Sequence, residues 1–373
     1  MDQDRIRMEG NWRLPRVLRK ELRLGAFDRP RQPFVVALRS SKVPLAGALA
    51  ATLSLLILAS CTTGPKASPT APIAPTQVMS PAVATAVPSA SDTPASTPTD
   101  TAVPSPTPAV LIAAGDIAGC EANGDEATAA LVAGLPGTVA MLGDSAYPAG
   151  APQEFADCYD PSWGRFKDRT RPAVGNHEYL TPGATGYFDY FGSAAGETGL
   201  GYYSYDLGAW HIVVLNSECW EVGGCGRDDP QAQWLASDLT AHPALCTLAY
   251  WHSPRFSSGH HGSSDIVEAY WDTLYQAGAD VVLTGHDHDY ERFAPQDSQG
   301  RPDPEAGIRE FVVGTGGFSH YPFPGEPLPN SEVRDATAFG VLVLTLSEDR
   351  YDWQFVPIEG KTFTDSGVGT CHP

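Results

Sequence analysis

Leu283-Thr284-Gly285-His286-Asp287-His288-Asp289-Tyr290-Glu291-Arg292 sets two imidazoles one residue apart, directly after the apolar run 281–283. Four polar clusters precede it: Gly115-Asp116, Gly143-Asp144-Ser145-Ala146-Tyr147, Gly175-Asn176-His177-Glu178 and Tyr250-Trp251-His252. Each follows its own β-rich run (110–114, 139–142, 172–174 and 247–250), so the polar residues fall where strands end. In open α/β sheets that is where ligands bind. Residues 126–132, 230–240 and 265–276 read as helices, the second with Pro230 at a first-turn position. Residues 202–207 and 211–215, joined at Gly208, read as a hairpin, and 340–346 with 351–357 as an antiparallel pair around Glu348-Asp349-Arg350. Strands alternating with helices imply a mixed α/β fold with a partly parallel sheet.

Charge and composition divide the chain. Its 24 basic and 44 acidic residues give a net charge of -20. Eleven of the basic and five of the acidic residues precede Cys61, which leaves thirteen against thirty-nine in the remainder. Such a body repels nucleic acid and anionic membranes over most of its surface, so polyanion binding is set aside. Residues 62–108 are almost entirely Pro, Thr, Ser, Ala and Val, with one Lys, two Asp and no aromatic residue. That stretch has nothing from which to build a core, and its Ser-Pro and Thr-Pro steps favour an extended tether. The expected organisation is a leader over 1–61, a disordered tether over 62–108 and one catalytic domain over 109–373.

Upstream of the tether, residues 45–60 are apolar or small, follow Arg39 and Lys42, and end in Leu58-Ala59-Ser60-Cys61. The stretch is short for a membrane span and has the parts of a signal peptide. Its ending resembles the lipobox of bacterial lipoproteins, which implies lipidation of Cys61 and a protein exported and anchored to the cell membrane, facing outward. The basic leader before Leu45 is long for such a signal, so translation is expected to start downstream of Met1. Six further cysteines remain: Cys120, Cys158, Cys219, Cys225, Cys246 and Cys371. An oxidising compartment permits three bridges among them. Cys219 and Cys225 are close enough to close a local loop. Cys120 with Cys158 and Cys246 with Cys371 are the other expected pairs, one of fifteen arrangements the sequence allows. No pair has the spacing of a structural zinc site.

Taken together and in this order, the five clusters resemble the calcineurin-like metallophosphatase superfamily, over about 111–292. The resemblance implies a four-layer α/β/β/α sandwich of two mixed sheets flanked by helices, with the motifs at strand ends. A departure refines it. The wider superfamily has Asp-x-His in its first motif, whereas the third position here is Ala118. Tyr147, three residues after Asp144, supplies a phenolate instead, and Gly-Asp-x-x-Tyr with Gly-His-x-His-x-Tyr-Glu-Arg is the purple acid phosphatase pattern. A phenol with a free pKa of about 10 ionises readily only beside a strongly acidic metal, and ferric iron is the natural candidate.

Carried over residue by residue, the family scheme gives one metal Asp116, Asp144, Tyr147 and His288. The second gets the bridging Asp144 with Asn176, His252 and His286. Carboxylate, phenolate and one imidazole suit Fe(III), while an amide oxygen and two imidazoles suit divalent Zn, Mn or Fe. His177 is left to contact the phosphate or protonate the leaving group, with Glu178 expected to orient it. The run Arg255-Phe256-Ser257-Ser258-Gly259-His260-His261 resembles the substrate loop, whose paired histidines, His260 and His261, would line the leaving-group side. Arg292 is expected to pair with an acid near the site; His211, His242, His320 and His372 receive no role.

The implied activity is hydrolysis of phosphomonoesters by metal-activated hydroxide without a covalent phosphoenzyme, on a small phosphate ester. A phosphodiesterase or nucleotidase using the same residues is the first alternative, and a surface binding lipoprotein with a silent site the second. Many plant-type relatives carry an N-terminal β-sandwich domain; here the tether runs directly into the first motif, so the catalytic domain is expected to stand alone.

Overall fold

Two mixed β-sheets stacked face to face form the body of the computed structural model, which describes residues 107–373. The leader, Cys61 with its expected lipid, and the tether up to residue 106 lie outside the described residues. Across the first sheet the strands run Ser366–Thr370, Arg350–Pro357, Gly340–Leu346, Ala109–Ala114, Thr138–Leu142 and Thr170–Ala173. The last three are parallel, and a C-terminal antiparallel meander extends the sheet on the other side. The second sheet runs Ser331–Asp335, Tyr290–Phe293, Arg309–Val313, Val281–Thr284, Cys246–Tyr250, Trp210–Val214 and Tyr203–Leu207. Its four-strand parallel centre is closed by antiparallel strands on both sides.

Side chains alternate across a strand with period two, and here the alternation separates two cores. Trp210, Ile212 and Val214, Leu248 and Tyr250, Val281 and Leu283, and Phe311 and Val313 are buried between the sheets. Val213, Ala249 and Val282 point the other way and pack under the helices Pro230–Ala241 and Glu268–Gln276, against Leu235, Trp271 and Leu274. Both faces are apolar, which is why these strands read as continuous hydrophobic runs. Each fully buried large apolar side chain contributes roughly 1.5–3 kcal/mol. On the first sheet, the helix Gly124–Ala133 and the 3-10 turn Trp163–Arg169 complete the flanking layer, joined by a hydrogen bond of 3.0 Å from Trp163 Nε1 to Thr128 Oγ1. The result is the α/β/β/α sandwich of two mixed sheets.

Three disulfides use all six cysteines of the described residues: Cys120–Cys158, Cys219–Cys225 and Cys246–Cys371, with Cα–Cα separations of 4.7, 5.0 and 5.3 Å. The last ties a central strand of the second sheet to the chain's C-terminal segment. Among the described residues no helix is long and apolar enough to cross a membrane.

Candidate metal centre

Three of the motif residues, Asp116, Asp144 and His286, have left-handed backbone with φ of 60°, 50° and 69°. Non-glycine residues seldom hold this conformation, and when they do they cluster where function requires it. Each turns its side chain back across the strand end, and a glycine precedes each to admit its neighbour. A Cβ at Gly143 (φ 86°) would lie 2.5–2.6 Å from the His252 ring, and one at Gly285 2.8 Å from Asp116 Oδ2. A two-residue ladder, Ala118–Gly119 paired with Ala146–Tyr147, joins the first two motif loops and aims Tyr147 inward.

All seven expected ligand residues come together. On one side the Tyr147 hydroxyl lies 2.8 Å from Asp116 Oδ1, 3.0 Å from Asp144 Oδ2 and 3.1 Å from His288 Nε2. On the other, His252 Nε2 lies 3.0 Å from Asn176 Oδ1, 3.2 Å from Asp144 Oδ2 and 3.2 Å from His286 Nδ1. Asp144 Oδ2 therefore touches both groups. Two of the three imidazoles are oriented from behind: His252 Nδ1 lies 2.8 Å from the Leu142 carbonyl and His288 Nδ1 2.7 Å from Ser319 Oγ. Such outer partners fix the tautomer of a metal-binding histidine.

The donor set fits cations. A phenol has one proton, so Tyr147 cannot donate to two carboxylates and an imidazole at once. His252 donates Nδ1–H to a carbonyl, which in the neutral tautomer leaves the Nε2 lone pair facing three other acceptors. Burial raises the Asp116 and Asp144 carboxyls, but the cationic forms of His288 and His252 respectively outweigh it and hold both below the usual range. Burial lowers His252, yet the Asp144 charge overrides it and pushes the imidazole to about 10; burial and the neighbouring His252 drive His286 down to about 3. Burial, Asp116 and Asp144 hold the Tyr147 phenol well above its ordinary value. Only a strongly acidic ion would take its proton away.

His177 sits at the mouth, about 30 % exposed, with Nε2 3.9 Å from Asp144 Oδ2 and its ring 4.4 Å from that of Tyr147. The sequence expectation for its orienting group is corrected. Its Nδ1 lies 2.5 Å from the Pro148 carbonyl, while Glu178 is fully buried. The Glu178 carboxylate accepts from the backbone N–H groups of Gly175, Asp144 and Ser145 at 2.8, 3.0 and 2.8 Å. It staples the second and third motif loops together instead of steering the imidazole.

Asp287 fastens the loop of the paired histidines. One carboxylate oxygen accepts from His261 N at 2.6 Å; the other accepts from Gly262 N at 3.1 Å and from the Ser257 hydroxyl. This brings the His261 ring to 4.4 Å from His286, with His260 one layer farther out, 5.3 Å from His261 and 5.2 Å from Tyr321. Arg292 does pair with acids, but with Asp365 (2.6 Å) and Glu332, over Trp353 between strands and away from the seven donors.

Sequence reasoning missed a sixth strand end. After Arg309–Val313 comes Gly314-Thr315-Gly316-Gly317-Phe318-Ser319-His320-Tyr321. Phe318 stacks on Tyr147 at 3.6 Å, Ser319 orients His288, and Tyr321 stacks on His288 at 4.4 Å. Gly314 is required there because a Cβ would strike the Asp287 carbonyl and lie 2.8 Å from Asp116 Oδ2. A glycine-rich turn after an apolar strand was the available signal.

Comparison with known proteins gives the family and the fold. The family model of calcineurin-like phosphoesterases matches residues 99–290, just over half of the chain. Purple acid phosphatase 15 of Arabidopsis thaliana is 27% identical over 225 residues, covering 50% of this chain and 41% of the relative. A purple acid phosphatase of Glycine max is 31% identical over 179 residues, covering 42% and 37%. The chain thus spans less than half the length of these relatives. Among solved structures, a purple acid phosphatase from yellow lupin (Lupinus luteus) seeds superposes with a TM-score of 0.57 at 16% identity, covering 71% of this chain and 54% of the other. That likeness shows the shared fold.

Proposed function

The chain belongs to the calcineurin-like phosphoesterase family, and we propose that it is a metal-dependent phosphatase of the purple acid type that hydrolyses small phosphate monoesters at the seven-donor cluster. One observation carries the reading: Asp144 Oδ2 stands 3.0 Å from the Tyr147 hydroxyl and 3.2 Å from His252 Nε2, so one carboxylate joins two different donor groups. Asp116, Tyr147 and His288 with Asp144 would hold Fe(III); Asn176, His252 and His286 with Asp144 would hold a divalent Fe, Zn or Mn. When bound, such a pair neutralises phosphoryl charge and lowers the pKa of a coordinated water to about 7.

The chain's own residues do the rest. Pro148 fixes the His177 ring so that Nε2 points to the centre, where it can give a proton to the departing alkoxide. His261, held by Asp287 beside His286, lines the entrance, with burial keeping its imidazole below the ordinary value and so biased to the neutral form. Three disulfides in one catalytic body support export to an oxidising space, with Cys61 as lipid anchor and residues 62–108 as tether. Parallel assays of metal-loaded protein on an aryl phosphate monoester and the matching diester test the substrate class. Monoester turnover at least about tenfold faster is expected, and preference for the diester overturns it. Wild-type protein in the detergent-extracted membrane fraction, and failure of Cys61→Ser to be lipidated, are expected for the anchor; unlipidated wild-type protein in the cytoplasm contradicts it.

A further inference from the structure

We infer that His211, Asp238 and His242 form a separate site for one divalent transition ion of the zinc class, pinning the edge hairpin to the helix Pro230–Ala241. His211 lies on Trp210–Val214 but faces away from the inter-sheet core that Trp210, Ile212 and Val214 fill. It pairs with Thr247, five residues before His252, which at ~3.3 Å per residue puts it roughly 16 Å from the seven donors.

The ring is 2 % exposed and lies between two carboxylates, with Nδ1 3.0 Å from Asp206 Oδ1 and Nε2 2.9 Å from Asp238 Oδ2. A neutral imidazole has one N–H, so one of these contacts sets a lone pair against an anion unless a cation stands there. The Asp238 carboxylate meets a third donor, His242 Nδ1, at 3.2 Å one helical turn on, and its Oδ1 also accepts from Ser204 Oγ at 2.8 Å. Ligand atoms of His211, Asp238 and His242 all lie within 4.8 Å of one another. With zinc bonds of about 2.0–2.1 Å, tetrahedral donors stand about 3.3 Å apart, so only small shifts are needed. His242 is about half exposed and has room to turn its ring toward the ion.

Asp206 completes a carboxylate–histidine–metal relay, the usual outer support of a metal-binding imidazole. An adjoining cavity of about 270 Å³, lined by Asp206, Gly208, Trp210, His211, His242 and Pro243, admits water to the remaining coordination positions. Tyr203–Leu207 is the outermost strand of its sheet. An ion joining its hairpin to the helix would hold down an edge that is otherwise free to pair with another chain.

The test is titration of the metal-stripped full chain with Co(II), read by bound ions per chain and by visible cobalt absorption. His242→Ala is expected to bind one ion fewer than wild type, whatever the seven-donor cluster takes, and to keep its phosphatase activity. Asp206→Asn is expected to bind the same number with about 10–100-fold weaker affinity for that ion. Asp144→Asn, which disables the other cluster, is expected to leave this ion in place. Equal stoichiometry in wild type and His242→Ala would overturn the inference and leave His211 as a hydrogen-bonded clamp between Asp206 and Asp238.

Discussion

Both ends of the parallel strands bury polar side chains, and they treat them in opposite ways. At the amino end, Asp280 precedes Val281–Thr284 with one carboxylate oxygen accepting from Thr247 N at 2.8 Å and the other from His372 N at 2.7 Å. Each acceptor there has a donor. At the carboxyl end, Asp116, Asp144, Tyr147, Asn176, His252, His286 and His288 crowd together at 2.8–3.3 Å with more acceptor atoms than the one Tyr147 hydroxyl and the imidazoles can donate to. Unpaired buried polar groups cost free energy, so a cluster of facing acceptors persists only where something positive is meant to sit. The comparison separates a structural carboxylate from a site-forming one without appeal to sequence motifs.

Breaking the bridge at the carboxyl end gives the largest expected effect. Asp144→Asn removes the anionic oxygen common to both donor groups, and elemental analysis should show both ions lost from the cluster with kcat/KM down by about 10⁴-fold or more. The two flanks should then separate. Tyr147→Phe removes the phenol and should abolish phenolate-to-iron visible absorption while the divalent ion at Asn176 and His252 remains. Asn176→Ala should do the converse, each costing on the order of 10²–10³-fold in turnover. His177→Ala removes none of the seven expected ligands and should keep the metal content while lowering kcat about 10²-fold. Metal loss from that variant would place His177 among the ligands.

The smallest expected effect lies at the amino end. Burial pushes Asp280 up to about 6, its backbone hydrogen bonds only partly opposing that, from an ordinary value of 3.8. The folded chain therefore binds this proton more tightly than the unfolded chain. Between about pH 4 and 6 its contribution to stability falls as pH rises, and above that window the full penalty is present. Asp280→Asn should flatten that part of the melting temperature against pH profile without altering metal content or turnover.

Much of this was legible from residues alone because strand ends and chemistry coincide. Runs 110–114, 139–142, 247–250 and 281–283 are apolar on both faces, which only buried parallel strands require, and the polar clusters after them were found at once. The hairpin turn at Gly208 and the helix opening at Pro230 followed from turn residues and proline position, whereas cysteine count gave room for three bridges and left their pairing as one of fifteen arrangements, the one the structure has. Ser331–Asp335 and Ser366–Thr370 were not seen, since Ser-Glu-Val-Arg-Asp and Ser-Gly-Val-Gly-Thr are strands only because a neighbour offers its edge. Within the site, the seven residues that the structure brings together were readable as residue types. What orients them was not: Glu178 and Asp287 act through backbone N–H groups of loops distant in sequence, and such contacts leave no local pattern. Phe318, Ser319 and Tyr321 were missed because their strand ends in glycines rather than in ligand residues.

Anomalous diffraction from metal-loaded crystals tests the central claim most directly. The expected result is two peaks flanking the Asp144 carboxylate, about 3.5–4 Å apart, with the iron-edge signal on the side of Tyr147 and His288. A single ion at Asp144, or two ions that leave Tyr147 uncoordinated, would contradict the account.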